Sequence, residues 1–202
     1  MAVGARVPRI RDGATTRARI EKEALRLFAE KGVEGATIRD LSQAVGVADA
    51  ALYRYFGSKE QIASELFRTH YGALAGKIAA ISARDLPFSR TAHELVSLFC
   101  RLFDDEPDVF AFILLNQHAH LRFVTEDGNA VEELRKIMRR AIERGEIAMT
   151  DPDLAAATAL GAVLQPAVFK LYGRLPGPLS TRAHEMAGAA ARSVGALERF
   201  PA

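Results

Sequence analysis

Apolar residues recur at three- and four-residue spacing along almost the whole chain, and no stretch alternates strictly in twos with the Val, Ile, Thr and aromatic content of a strand. That periodicity predicts an all-α fold. Caps and breakers set the boundaries. Thr15 or Thr16 can cap a first helix whose Ile20, Ala24, Leu27 and Phe28 share a face, and Gly32 ends it. Thr37, with Asp40 three residues on, opens a short second helix that Gly46 stops. Leu52 and Phe56 share a face of a short third helix closed by Gly57, and Ser58 with Gln61 starts a long fourth one. Breaks at Pro87, Pro107, Asp127-Gly128, Asp151-Pro152 and Gly173 to Pro178 divide the remainder into five more, about nine in all.

Two short helices joined through Gly46-Val47 have the order of a helix-turn-helix, in which glycine permits a turn that other residues resist. Charge agrees with a nucleic-acid partner for this end of the chain. The net charge of +2 is small, but residues 1–60 carry +3 and residues 61–202 carry −1. Arg6, Arg9, Arg11, Arg17 and Arg19 cluster before or at the first helix. They form either an arm that lies along phosphates or enters a minor groove, or a solvated leader. No apolar stretch follows those arginines, so the N-terminus does not read as a secretory signal and the expected location is the cytoplasm. The apolar runs are broken every few residues, and no membrane-spanning segment is expected. Cys100, the single cysteine, sits in an apolar run and reads as core.

The wider pattern adds Thr37-Ile38-Arg39-Asp40-Leu41, Ala44-Val45-Gly46-Val47, Leu52-Tyr53-Arg54-Tyr55-Phe56 and Ser58-Lys59-Glu60. It resembles the N-terminal domain of the TetR family of bacterial regulators, from about Thr15 to Leu66 without a gap. Past residue 85 the resemblance rests on helix count, a Gly-Glu-Ile turn at Gly145 and the Asp-Pro-Asp-Leu start after it. It implies a three-helix DNA-binding domain at residues 15–60 behind a basic arm at 1–14, and a ligand-binding and dimerisation domain at 61–202. Thr37 and Arg39 would meet phosphate at the start of the second helix. Tyr53 and Tyr55 would offer hydroxyls to the DNA backbone and ring faces to sugar or thymine methyls, and Lys59 would contact phosphate. Base reading falls to Ala48, Asp49, Ala50 and Ala51, with Arg54 best suited to guanine. The chain departs from the common pattern at Ala48, where Ser usually caps the third helix. Asp49 either takes over the cap or accepts from cytosine. Tyr53 has a packing alternative.

In the second half, the resemblance implies a small-molecule pocket and a dimer made by the last two helices. Phe103, Phe110 and Phe169, with Asn116, Gln117, His120 and Gln165 as polar groups in apolar helical stretches, suit a mostly apolar ligand site. The same aromatic set also fits an ordinary core. His118 and His120 stand about 200° apart on a helix and cannot share a metal, and neither metal nor cofactor is expected. Pro166 should bend its helix, either beside a pocket or around the core. Ala183, Ala187, Ala191 and Gly195 at four-residue spacing, with Leu160, Leu164 and Val168, offer a dimer face. The function implied is a homodimeric repressor released from double-stranded operator DNA by a small effector. The rivals are a ligand-independent DNA-binding factor of the same fold and a helical enzyme, for which no acid-base pair, phosphate loop or nucleophile motif is present.

Overall fold

The computed structural model describes residues 10–120 and 129–196, with side chains for 14–116 and 129–196. Among these residues it is all-helical: α1 (Ile10–Gly35), α2 (Ile38–Val45), α3 (Asp49–Tyr55), α4 (Lys59–Ser82), α5 (Phe88–Asp105), α6 (Pro107–His120), α7 (Ala130–Glu143), α8 (Pro152–Leu171) and α9 (Ala183–Ser193). A 3-10 turn at Leu179–Arg182 precedes α9, and one isolated antiparallel bridge joins Ile147 to Ala196. Arg6, Arg9, the Arg11 side chain, the break at Asp127-Gly128 and the side chains of Gln117, His118 and His120 lie outside the described residues.

The first helix starts at Ile10, ahead of both threonines expected to cap it. Gly32, at φ 71° and ψ 165°, breaks the regular helix where expected, and one further turn reaches Gly35. Ile20, Ala24 and Phe28 are fully buried against Leu41, Leu52 and Ile62, which makes the small domain's core out of α1 to α4. Two of the arginines assigned to a basic arm serve this domain internally. Arg17 pairs with Glu21 on its own helix and Glu65 on α4, and its guanidinium lies 4.6 Å from the Phe56 ring centroid. Arg19 donates to the Val45 carbonyl at the end of α2, where carbonyls lack helical partners.

No boundary in the chain path separates the two halves, because α4 runs from one into the other. The seam is aromatic. Phe112 of α6 stacks on Phe28 of α1 at 6.0 Å between centroids and meets Phe67 of α4 edge-on at 6.5 Å. Phe67 in turn stacks on Tyr71 at 5.1 Å. Further along, Arg140 of α7 donates to the Ser82 carbonyl and hydroxyl, Arg144 pairs with Asp85, and the Glu146 carboxylate accepts from the Phe88 amide at 2.8 Å. These polar contacts hold the α4–α5 corner on α7. At the other end, the Asp104 carboxylate accepts from the Leu179 and Ser180 amides. Burial works against its charge, yet those bonds hold its carboxyl below the usual value.

Two expectations change in the last helices. Ala183, Ala187 and Ala191 are buried inside the chain, because α9 turns its small-residue stripe toward α5 and α8. Gly195 lies past the end of α9 in a left-handed turn at φ 71°, closing on Ala148. Also, α8 is long and apolar enough to cross a membrane, with a mean hydropathy of 1.5 and only 22% of its apolar window buried. Its charges, Asp153 and Lys170, stand at its two ends, and between them only Thr158, Gly161, Gln165 and Pro166 interrupt the run, less than the sequence suggested.

Cys100 is fully buried, its Sγ 3.8 Å from Met186 Sδ. Burial first, then the nearby Asp104 carboxylate, pushes the thiol up to about 11, against a smaller opposing effect of Arg101. Ellman's reagent at pH 8 should therefore leave the native protein unmodified and label one thiol per chain once denaturant is added.

Candidate nucleic-acid interface and ligand cavity

Helix α2, which leads into the turn before α3, is capped at both ends. At its start, the Thr37 hydroxyl accepts from the Asp40 amide at 3.1 Å, while the Asp40 carboxylate accepts from the Thr37 amide at 2.9 Å and its hydroxyl at 2.8 Å. Those bonds from Thr37, side chain first, hold the Asp40 carboxyl below its usual value. At the end of α2, Gly46 is left-handed at φ 74° and donates to the Ser42 and Gln43 carbonyls, and the Val47 amide also reaches the Ser42 carbonyl. A side chain there would be strained by the backbone alone.

Ala48 precedes α3 without a side-chain cap, as its methyl group requires, and Asp49 does not replace it. The Asp49 carboxylate accepts instead from the Ser42 hydroxyl, which is buried in α2. That bond ties α3 to α2 across the turn. Ser42 is a residue the sequence reading passed over; a polar side chain between Leu41 and Val45 on a short buried face was the available signal.

Thr37, Arg39, Gln43 and Ala44 of the α2 segment and Ala48, Asp49, Ala50, Tyr53 and Arg54 of the α3 segment are exposed, and Tyr53 is 55% accessible. They form one face. Tyr55 is half-buried and packs on the core. Gln43 was also missed, and its amide suits adenine. Lys59 departs most from its expected role. Its ammonium donates to the carbonyls of Val33 at 2.8 Å, Ala36 at 3.1 Å and Glu34 at 3.3 Å, so its three donors are engaged within the protein. Lys59 closes the turn that delivers Thr37, rather than standing free for phosphate.

A cavity of about 150 Å³ lies in the second half, walled by α4 to α9. Its wall is apolar and includes Leu74, Leu95, Phe99, Phe110, Leu134 and Leu160. Phe110 meets Phe99 edge-on at 4.7 Å, and Phe103 stands behind it at 4.9 Å, outside the wall. Asn116 is not in the wall either, since its amide donates to the Phe112 carbonyl one turn back. Gln165 and Phe169 are on the outer face of α8, while Leu160 and Leu164, assigned to the dimer, face the cavity. The two sets had exchanged sides. Positions 164 and 165 stand about 100° apart on a helix, so a one-residue error of phase moves a side chain from wall to surface.

These features define a two-part helical protein with an N-terminal helix-turn-helix and a hollow second half. Residues 20–66 match the model of the bacterial regulatory proteins of the tetR family. The HTH-type transcriptional repressor KstR2 of Rhodococcus jostii is 38% identical over 74 residues, 37% of this chain and 36% of that protein. The chain therefore matches little more than a third of that relative's length. Among solved structures, the TetR family regulator PfmR from Thermus thermophilus superposes with a TM-score of 0.72 at 27% identity, covering 90% of this chain and 100% of that one. AibR, solved with isovaleryl coenzyme A and operator DNA, shares the fold at a TM-score of 0.69 and 21% identity, covering 90% and 100%. Residues 20–66 thus carry the N-terminal domain of tetR-family regulatory proteins, and the chain shares the fold of a TetR family regulator.

Replacing Thr37 by Ala should cost about 1 kcal/mol in unfolding free energy. Because the folded Asp40 value is depressed, the advantage of the wild type over Asp40→Ala should be present above the ordinary carboxylate value and lost as pH falls through the lower folded one. Denaturant titrations at pH 7 and pH 2.5 check both the size and the sign.

Proposed function

We propose that the protein is a homodimeric transcriptional repressor that acts in the cytoplasm, binds double-stranded operator DNA through the α2–α3 face, and is released by a small, largely apolar ligand. The observation that carries this reading is the exposed set of residues from Thr37 to Arg54, carried on an α2 capped at both ends and tied to α3 through Ser42 and Asp49. Thr37 and Arg39 anchor phosphate at the start of α2, where helix amides favour an anion. Tyr53 contacts the sugar-phosphate backbone, and Arg54 reads guanine. Ala48 and Ala50 add apolar contact, whereas Asp49 shapes the turn through Ser42. The relatives named as repressors and the AibR complex with operator DNA support the same assignment.

The second copy docks on the outer face of α8. Leu154, Phe169 and Tyr172 are 56%, 47% and 72% exposed in the single chain, and Ala157, Gly161 and Gln165 lie between them. This apolar strip is what makes α8 resemble a membrane span in composition, and a partner chain covers it without a bilayer. The outer side of α9 completes the interface, while its alanine stripe stays in the chain's own core.

Ligand control is favoured over a ligand-independent factor by the cavity itself, which is apolar and unfilled by side chains. Its contents reach the DNA-binding half through α6. Phe110, Ile113 and Leu114 line the cavity, and Phe112 between them is wedged against Phe28 and Phe67. Ligand that repositions α6 thereby tilts α1 and α4 and changes the spacing of the two α3 helices, as far as its affinities for the two states differ.

Selection from a random DNA pool should yield a pseudo-palindrome with half-sites about one helical turn, or ~34 Å, apart. On that DNA, Tyr53→Ala should weaken binding for all sequences, and Arg54→Ala should lower discrimination at one base pair by about 1–3 kcal/mol in an anisotropy titration. Unchanged binding by both variants would remove the α3 assignment. Phe169→Glu should sediment as a monomer and lose operator affinity, and a Phe169→Glu dimer would move the interface elsewhere.

A further inference from the structure

Among the described side chains that wall the cavity, Tyr71 alone carries a hydrogen-bond donor. Its ring is held by the stack on Phe67, and its hydroxyl donates to Asn129 Oδ1 at 3.0 Å. The same oxygen accepts the Val131 amide at 2.9 Å and so caps α7. Ala130 and Val131, the first residues of α7, are themselves part of the wall, so the Tyr71–Asn129 bond lies where the cavity meets the start of that helix.

This arrangement leaves Tyr71 a transferable proton. If the hydroxyl turns to another acceptor, Asn129 still holds the Val131 amide, and no buried oxygen is stranded. The reverse does not hold. Without a replacement acceptor, a buried hydroxyl released from Asn129 would lose its bond. Among the described residues no Asp, Glu, Lys, Arg or His is in the wall, so the described wall offers an ionised group no compensating charge. A dry apolar cavity of about 150 Å³ accepts a molecule about the size of benzene.

We propose that the cavity takes an uncharged, ring-sized or short-chain hydrocarbon group bearing one hydrogen-bond acceptor, such as a ketone or ester carbonyl, and that Tyr71 anchors that acceptor by transferring its hydrogen bond from Asn129. The proposal rests on the ligand-control reading above. Tyr71 then selects for an acceptor, while the apolar wall selects for size. It also sits at the cavity end of the aromatic run through Phe67, Phe112 and Phe28, so the group that recognises the ligand is stacked on the seam between the two halves.

The test uses the full chain and three probes of similar size: acetophenone, ethylbenzene and benzoate. Binding is followed by amide chemical-shift titration. Acetophenone and ethylbenzene should both bind the wild type, and benzoate should not. Tyr71→Phe should weaken acetophenone by about tenfold and leave ethylbenzene unchanged, as loss of one hydrogen bond to a desolvated carbonyl requires. Asn129→Ser, which keeps a capping oxygen on a shorter arm, should free the Tyr71 hydroxyl and tighten acetophenone alone. It also tests the proposal should Tyr71→Phe not fold. If Tyr71→Phe leaves acetophenone unchanged or weakens both neutral probes equally, the anchor is wrong while the cavity stands as a ligand site. Acetophenone affinity unchanged in Asn129→Ser would likewise overturn the transfer. If neither neutral probe binds the wild type, the ligand-control reading fails and the proposal with it. Benzoate binding as tightly as acetophenone would overturn the uncharged class.

Discussion

Phe112 carries the organisation of this molecule, because among the described residues it is a fully buried aromatic that touches the first helix, the long fourth helix and, through its neighbours on α6, the cavity. A close-packed interior transmits displacement because it has little free volume to absorb it. Phe28 and Phe67 lie on the two helices that bracket the helix-turn-helix, so a shift of α6 cannot stay local. The cavity is the compliant side of this arrangement and the aromatic seam is the stiff side.

Polar groups do the complementary work of fixing geometry at helix ends. Asp40, Asn129 and Asp151 satisfy orphan amides at the starts of α2, α7 and α8, while Glu146 and Asp104 do so from a distance for α5 and the turn before α9. Arg19, Lys59 and Arg140 satisfy orphan carbonyls at the ends of α2, α1 and α4. Much of the basic excess in the first part of the chain is thus spent inside the protein. Among the described residues, the exposed sides of α2 and α3 are lightly charged, with Arg39 and Arg54 their cations.

The local reading of the helix-turn-helix was accurate because its determinants are local. The capping box at Thr37 and Asp40, the left-handed Gly46 and the Ser58 cap are set within a few residues of chain, and the buried face of Ile20, Ala24 and Phe28 follows from helical spacing. Gln61 shows the limit even there. Its side chain reaches the Gly57 amide and not that of Ser58, a choice between adjacent donors that spacing cannot make. Lys59 and Arg17 were read as surface cations since a long basic side chain looks the same in sequence whether it meets phosphate or a carbonyl of its own chain.

Farther along, α8 and α9 were recognised as helices and misread in orientation. An apolar helix such as α8 has hydrophobic residues on every side, so composition does not say which side meets the cavity and which faces outward. Only the packing of α8 against α7 and α9 places Leu160 and Leu164 inward and Gln165 and Phe169 outward. The alanine stripe of α9 permits close approach to any helix, and α5 and α8 of the same chain took it. By itself the sequence determined the order of the helices, the caps at Thr37, Ser58 and Asp151 and the turn at Gly46, because those depend on interactions a few residues apart. The tertiary structure alone decided the cavity, the seam at Phe112 and the partner of Tyr71, because each joins residues of distant helices whose relative rotation is set by the whole core at once.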